Sequence, residues 1–203
     1  MLSLQLVRTN NDPIIPAYLY LSVISDIQKC PSLLRTDCGS ETGLMASIQC
    51  FLQQNIDAHR FGKSVANQRI ENFWSHLKRT FMTWIIEFFK DLVYSGIFSL
   101  GNYTHAECAW FVFSSLIQDE LDKVVCGWNM HCIRKSRDDV VGGIPDELFH
   151  LPEAVGYADC GSYVPTQKIQ DIIQQTDVVD AGFTLLNRRD DDLVDYFNYL
   201  VQN

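Results

Sequence analysis

The amino-acid sequence predicts an α/β domain, and three observations lead to this prediction. Segments with the pattern of strands alternate with helical segments along residues 1–94, which is the order found in α/β proteins. Apolar residues make up 47% of the chain and aromatic residues 12%, which argues against disorder. A chain of 203 residues is also long enough to bury a sizeable core. We therefore expect a sheet with flanking helices.

Residues 2–61 contain the predicted strands. The segment "LSLQLV" is expected to form a first short strand, "SLLRT" a second one, and "DAHRF" either a third strand or an extended stretch. Residues 14–27 and 41–54 have apolar side chains at helical spacing and are predicted to be the intervening helices. A strand that begins at residue 2 has no hairpin partner, so we expect it at an exposed edge of the sheet.

The rest of the chain is predicted to be mainly helical. Residues 64–94 are expected to form one long helix, whose apolar stripe should lie in the core rather than stack on bases. A further helix is expected over 104–128, and "GGIPDELF" is predicted to be a loop that turns into a short helix. Two amphipathic segments, 169–173 and 193–201, follow it. The stripe consists of Ile70, Phe73, Trp74, Leu77, Phe81, Trp84, Ile85, Phe88 and Phe89.

The charge of the chain is divided unevenly. The net charge is −9, but residues 35–90 hold seven lysines and arginines against five acidic residues, a net +2. Residues 138–203 hold three basic residues against thirteen acidic ones, a net −10. The acidity therefore belongs to the C-terminal third, and a locally basic surface is compatible with an acidic protein. A nucleic-acid partner is not excluded by the sign of the total charge.

Composition also argues against several other classes of protein. The seven cysteines are odd in number and include no C-x-x-C pair, which indicates reduced thiols rather than a disulfide framework or a zinc ribbon. No segment has the features of a signal peptide or reaches about 18 uncharged apolar residues, the length of a membrane span. We therefore expect an intracellular protein without a membrane partner.

The segment "LLRTDCGSETG", residues 33–43, places a carboxylate at the end of a predicted strand. Asp37 is followed by Gly39 and Gly43, so the chain is expected to turn tightly around it. A solvated aspartate in a loop explains this pattern as well as a functional aspartate does. A metal site would need a second carboxylate from elsewhere in the chain.

Glu71 is the candidate for that second carboxylate. It lies in "SVANQRIENFWSHLKR", residues 64–79, where helical spacing places it on a polar stripe. The other members of this stripe are Ser64, Asn67, Ser75 and Lys78. A helix that crosses the sheet would bring Glu71 over the end of the Asp37 strand, and two such carboxylates can hold Mg²⁺ while it keeps waters for a phosphate. The spacing alone is more often that of two solvated charges, so both interpretations stay open.

These segments also carry a resemblance to a known family. "RTDCGSETG" followed by "AHRFGKSVANQRIENFWSHLKR" resembles the integrase core family, the DDE-type integrases and transposases of the ribonuclease H-like fold. It also closely resembles the integrase-core proteins found scattered in animal genomes. The later "WNMHCIRKSRDDVVGGIPDELF" looks like the segment after the catalytic helix of that group. The resemblance covers most of residues 1–160, and it implies a protein derived from a mobile element.

The resemblance implies roles for individual residues. Asp37 would be the second acidic residue of the metal-binding triad and Glu71 the third, and both would be catalytic in an active enzyme. The cofactor would be Mg²⁺ or Mn²⁺, which activates the attacking hydroxyl and stabilises the leaving oxygen of a phosphoryl transfer. DNA would be the partner. Asn67, Arg69, Ser75 and Lys78 would face nucleic acid, as the helix of the family does. Arg60 and Lys63, before this helix, are further predicted contacts, and His59 either contacts DNA or packs.

The sequence departs from the family at the first aspartate of the triad, which should lie on an upstream strand. Asp12 and Asp26 are the only acidic residues before Asp37, and they lie in a predicted turn and helix. We therefore expect an N-terminally truncated, incomplete ribonuclease H-like fold: a mixed sheet with flanking helices and missing first strands, then a helical C-terminal part. Residues 1–160 are predicted to be the partial integrase core and residues 161–203 an acidic helical extension.

Three functions remain open on this basis. The first is an integrase-core-like nucleic-acid-binding protein with impaired catalysis, because one metal-binding carboxylate is lacking. The second is an active DDE-type DNA strand-transfer enzyme whose natural N-terminus is longer. The third is a protein–protein interaction module that uses the acidic C-terminus and the aromatic helix. A DNA partner predicts a nuclear protein, and assembly into a homo-oligomer is left open.

Overall fold

The computed structural model describes residues 1–9, 11–62, 68–134, 141–176 and 178, and for residues 68 and 69 it describes the backbone alone. In these ranges the helices are α1 (Ile14–Ile27), α2 (Gly43–Gln53), α3 (Gln68–Leu77), α4 (Thr83–Tyr94), α5 (Tyr103–Met130), α6 (Pro145–His150) and α7 (Thr166–Gln175). The strands are β1 (Lys29–Pro31), β2 (Leu34–Thr36), β3 (His59–Phe61) and β4 (Gly161–Tyr163). Short 3₁₀ turns cover Ser40–Thr42, Ile56–Ala58 and Pro152–Val155, and a π-helical segment covers Lys78–Met82.

Strands β2 and β3 form a parallel pair with helix α2 between them in the chain. Leu34 pairs with His59, Arg35 with Arg60 and Thr36 with Phe61. A parallel pair needs a crossover connection, and α2 supplies it. The segment "DAHRF", for which the sequence left strand or extended stretch open, is therefore a strand over its last three residues. This arrangement is the α/β unit that the order of elements predicted.

The second strand pair joins distant parts of the chain. Strand β1 pairs antiparallel with β4, with Cys30 opposite Ser162, and the backbone N–H of Ser32 donates to the carbonyl of Cys160 at 3.2 Å. Neither strand was predicted. Each has three residues, too few for a periodic pattern, and the partners are about 130 positions apart.

The chain divides into two compact units. The first unit consists of Met1–Lys63 and Leu121–Leu186, and the second of Ser64–Glu120 and Asn187–Asn203. The first unit therefore contains every strand of the described residues, together with α1, α2, α6 and α7. Helices α3 and α4 belong to the second unit, and α5 runs through both.

The core of the first unit is built from α1, α2 and α7. Its buried members are Ala17, Leu21, Ile24, Cys30, Ile48, Leu52, Val164, Ile169, Ile172 and Val178. The last four belong to the segment after residue 160, so β4 and α7 share a core with the elements near the N-terminus. The boundary that we expected at residue 160 stays a prediction, and the amphipathic segment expected at 193–201 lies outside the described residues.

In the second unit, the long helix is interrupted. The expected helix over 64–94 consists of α3, the π-helical segment and α4, with residues 63–67 outside the described ranges. Four residues spaced by four positions are buried: Phe73, Leu77, Phe81 and Ile85. A spacing of four drifts around a regular α-helix, and a π-helical turn, which takes an extra residue, offsets this drift.

The prediction that the whole aromatic stripe is core was wrong for three of its members. Ile70, Trp74 and Trp84 are 55%, 51% and 66% exposed. Phe88 and Phe89 are half-buried and pack in a cluster with Phe113, whose ring centroid lies 5.4 Å from each of theirs. Ile70 and Trp74 lie within α3, before the π-helical segment, so the buried side of this helix is narrower than the stripe that the sequence predicted.

The N-terminal segment also differs from the prediction. Residues 2–7 form no strand, and neither strand pair of the described residues includes them. The segment is instead held at its start, where Asn129 on α5 donates from Nδ2 to the carbonyl of Met1 at 2.8 Å. A short segment forms a strand only beside another strand, and both strand pairs of the described residues are made by other segments. Among the described helices, none combines the length and the hydropathy that a membrane span requires.

Candidate functional site at the end of strand β2

Asp37 directly follows β2 and is exposed, as the sequence predicted. In sheets with parallel strands, ligands bind beyond the carboxyl ends of the strands, where loops leave the sheet. Asp37 occupies this position on the parallel β2–β3 pair. Neither a hydrogen bond nor an ion pair joins its carboxylate to another residue in the described part of the chain. Its carboxylate is therefore available to a ligand.

Two threonines shape the turn around Asp37. The hydroxyl of Thr36 donates to the Asp37 carbonyl at 2.9 Å, and the hydroxyl of Thr42 donates to the Gly39 carbonyl at 2.9 Å. Both threonines are buried. Threonine hydroxyls often satisfy nearby backbone groups in turns of this kind. The turn is thus held through backbone groups, and the carboxylate of Asp37 is not needed for it.

Glu41 adds a carboxylate to the turn that the sequence reasoning did not single out. A Cβ placed on Gly39 would collide with the carboxyl group of Glu41, which therefore lies directly over the Gly39 backbone. Gly39 leaves room for this carboxyl group, and a side chain at position 39 would displace it. The signal in the sequence is a glycine two positions before a glutamate, which is too common to identify the contact.

His59 is part of the scaffold beneath the turn. Its Nε2 lies 3.0 Å from the hydroxyl of Thr36, and its ring packs edge-to-face on Phe61 at 4.6 Å. The Thr36 hydroxyl thus lies within hydrogen-bond distance of both the Asp37 carbonyl and Nε2 of His59, and it links the turn to β3. Burial lowers the pKa of His59 below its ordinary value. Of the two roles that the sequence left open for His59, DNA contact or packing, the ring is seen to pack against Phe61.

Glu71 lies near the start of α3 in the second unit and is exposed. Ser75 and Lys78 are also exposed, whereas Phe73 and Leu77 are buried. The polar stripe predicted from helical spacing is thus present for these three residues. The prediction that Ile70 is buried on the opposite side of the helix was wrong, as described above.

The remaining predicted nucleic-acid contacts divide into two groups. Arg60 is exposed on β3. Lys63 and Asn67 lie outside the described residues, and so does the side chain of Arg69, whose backbone is part of α3. Their roles stay predictions.

The donor set that the sequence predicted for a metal ion consists of Asp37 and Glu71. Carboxylate oxygens are the ligands that Mg²⁺ and Mn²⁺ prefer, so the chemistry of this set fits these ions. Within the described ranges, no three histidine, cysteine, aspartate or glutamate side chains cluster as a metal site would require. Asp37 belongs to the first unit and Glu71 to the second, so their pairing on one ion stays a prediction.

Comparison with known protein families decides the identity of the chain at the level of the family. The sequence profile described as "Integrase core domain" matches residues 15–150, which is 136 of 203 residues and about two thirds of the chain. This protein belongs to the integrase core domain family. No curated protein and no solved structure matches the chain.

Membership of the integrase core domain family confirms the resemblance and its coarse consequences. The family implies an α/β fold of the ribonuclease H-like class, and the parallel β2–β3 pair joined through α2 is consistent with it. The matched range includes Asp37 and Glu71. It also includes every described element from α1 to α6 except the first residue of α1.

Proposed function

We propose that this chain is a DNA-binding integrase core derived from a mobile element, with impaired strand transfer. The observation that carries the proposal is the family match over residues 15–150, combined with an exposed Asp37 at the carboxyl end of a parallel strand. Glu71, Ser75 and Lys78 form an exposed polar face on α3 and the residue that follows it, as a DNA-contacting helix requires. With DNA as the ligand, we further propose that the protein acts in the nucleus.

In this proposal Asp37 and Glu71 are residual ligands of a divalent metal ion. When bound, Mg²⁺ or Mn²⁺ would supply positive charge for a DNA phosphate and polarise its oxygens. The contribution of the chain is to present two carboxylates from rigid positions, one after a strand and one in a helix. The resemblance predicts three carboxylates, and residues 1–203 supply candidates for two of them, so we propose that this chain by itself is impaired in strand transfer.

The proposed metal site predicts that removing one carboxylate weakens DNA binding when a divalent ion is present but not when EDTA removes the ion. In Mg²⁺ or Mn²⁺, Asp37→Asn and Glu71→Gln should each weaken DNA binding about tenfold, because each removes a carboxylate that would hold the ion. With EDTA the same variants should bind DNA as tightly as the natural chain or more tightly, because a negative charge near the phosphate is removed. Fluorescence anisotropy with a labelled DNA duplex measures both affinities.

Two matched controls separate this effect from a general change in charge. Asp57→Asn removes an exposed aspartate of the first unit, and Glu147→Gln removes a glutamate from the first turn of α6. Neither should reverse sign between the two conditions. Equal behaviour of all four variants would reject the metal site, and an absence of DNA binding at low salt would reject the function itself.

Catalysis is measured in the same samples. We expect labelled DNA ends to be neither cleaved nor joined in Mg²⁺ or Mn²⁺. Cleavage or joining that Glu71→Gln abolishes would contradict the proposed impairment and would favour an active DDE-type strand-transfer enzyme.

A further inference from the structure

Arg35 and Arg60 lie side by side on the parallel strand pair. They are register partners, and both are exposed. Partners in a sheet project to the same side of it, so the two guanidinium groups share one face of the β2–β3 pair. The neighbouring positions, including Thr36 and His59, project to the opposite side and make the hydrogen bond described above. The arginine face is therefore separate from the network that holds the turn.

Gly62 provides a surface on which the side chain of Arg35 rests. A Cβ on Gly62 would collide with Nε of Arg35 and would lie 2.7 Å from Cζ. The guanidinium group of Arg35 therefore reaches across the strand pair and covers the backbone just after β3. Gly62 itself is anchored, because its N–H donates to the Thr36 carbonyl at 2.7 Å. Gly62 thus leaves room for this guanidinium group, and a side chain at position 62 would displace it.

Two like charges at one register position are unfavourable unless something compensates them. In the described part of the chain, no ion pair and no hydrogen bond compensates either guanidinium. Lys29 and Lys90, by contrast, have carboxylate partners in Asp159 and Glu87. An oxyanion between the two arginines would remove the repulsion, and the fork of an arginine matches two oxygens of a phosphate.

We propose that Arg35 and Arg60 form a binding site for one phosphate oxyanion. We take the oxyanion to be a phosphodiester of DNA, and this choice rests on the proposed function. Arg35 precedes Asp37 by two positions, so a phosphate held here would lie next to the end of β2. The site deepens the proposed function, since it assigns a phosphate contact to Arg35 and gives Arg60 a partner in making it.

The test measures DNA affinity as a function of salt. The full chain binds a fluorescein-labelled DNA duplex in anisotropy titrations between about 50 and about 200 mM NaCl, all with EDTA. Arg35→Gln and Arg60→Gln should each lower the affinity about fivefold at the lowest salt and reduce the slope of log K against log[salt] by about 0.9, the value for one phosphate contact. Lys90→Gln removes the same charge from α4 and should leave the slope unchanged.

A second variant moves Arg35 without removing its charge. Gly62→Ala should displace the guanidinium and weaken binding about as much as Arg35→Gln, with no further loss when the two changes are combined. Gly43→Ala is the matched control, because a Cβ at Gly43 meets no atom within 4 Å, and it should bind normally. Circular dichroism and the urea midpoint of each variant confirm that it is folded; if Gly62→Ala unfolds the chain, the arginine variants decide alone.

A second measurement, the effect of inorganic phosphate on the Tm, tests the oxyanion site separately from DNA binding. If the natural chain binds DNA while Arg35→Gln and Arg60→Gln match Lys90→Gln in affinity and slope, the phosphate site is overturned and the proposed function stands. If the chain binds no DNA but phosphate raises its Tm, and both arginine variants lose that rise, the oxyanion site stands and the proposed function fails. If neither DNA nor phosphate has an effect, the site is overturned as well.

Discussion

At the scale of single residues, the end of β2 separates structural side chains from those available to a ligand. Thr36 and Thr42 hold the turn through carbonyl groups, and His59 supports Thr36 from the neighbouring strand. The backbone carbonyl of Asp37 belongs to this network, but its carboxylate does not. An exposed carboxylate held by a rigid backbone has a defined position at little entropic cost, which favours ligand binding.

The burial of His59 predicts that the stability of the protein depends on pH. Burial lowers the pKa of His59 in the folded state below its ordinary value of 6.5. The unfolded state therefore takes up a proton first as the pH falls, so the contribution of the neutral ring is complete above about pH 6.5 and is lost below it, through the folded-state pKa. We expect His59→Gln to flatten this part of the dependence of the urea midpoint on pH.

His150 provides the matched control for this experiment. It is exposed at the end of α6 and is also a histidine of the first unit. His150→Gln should leave the decline of the urea midpoint below pH 6.5 as it is in the natural chain. A His59→Gln variant whose midpoint falls in parallel with that of the natural chain would contradict the prediction.

At the scale of elements, helix α2 holds the strands through Gln49. This side chain is fully buried, and its Nε2 donates to the carbonyls of Pro31 at 2.7 Å and Ala58 at 3.2 Å. Its Oε1 accepts from the hydroxyl of Tyr20 on α1. One glutamine thus joins α1, α2, the end of β1 and the turn before β3. The sequence predicted helix α2 from its apolar residues, but a buried glutamine cannot be told from an exposed one by spacing alone.

Replacing Gln49 should therefore be costly. Gln49→Leu keeps the approximate volume but removes the hydrogen bonds that Gln49 makes to the partly buried Tyr20 hydroxyl and to the carbonyls of Ala58 and Pro31, so we expect a loss of about 2–4 kcal/mol in the free energy of unfolding. Gln53 is the control on the same helix. It is half-buried and donates to Pro31 at 2.7 Å, and Gln53→Leu should cost about 1 kcal/mol. Urea denaturation measures both values, and equal losses would contradict the role of Gln49.

At the scale of the whole molecule, the core of the first unit joins the two ends of the described chain. Residues of α1 pack in one cluster with Val164, Ile169 and Ile172, and Lys168 on α7 donates to the carbonyl of Leu52 at 2.6 Å. The last carbonyl groups of a helix have no partner within the helix, and Lys168 supplies one to the C-terminal end of α2. The first unit therefore depends on residues beyond the range matched by the integrase core profile.

A core substitution in α7 should destabilise the first unit as strongly as one in α1 would. Ile172 is 4% exposed, and Ile172→Ala should lower the free energy of unfolding by about 3 kcal/mol through lost burial and the cavity left behind. Ile56 is the control, because it is 85% exposed in the same unit and Ile56→Ala should change stability by less than about 0.5 kcal/mol. A loss at Ile172 no larger than at Ile56 would show that α7 does not share this core.

The amino-acid sequence by itself determined what depends on neighbouring residues. The apolar spacing of residues 14–27 and 104–128 predicted α1 and α5 to within about two residues, and "TDCGSET" predicted the turn after β2. Its motifs also identified the family. Local hydrogen bonds and side-chain periodicity carry this information, and both extend over only a few residues.

Only the tertiary structure decided what depends on residues far apart in the chain. It paired β1 with β4, left residues 2–7 out of the strand pairs, and placed Arg35 opposite Arg60. The physical reason is that such pairings are selected by the packing of the whole core and by loop closure, to which no single stretch of sequence corresponds. The candidate site at the end of β2 depends on both, since its turn is local and its arginine pair is not.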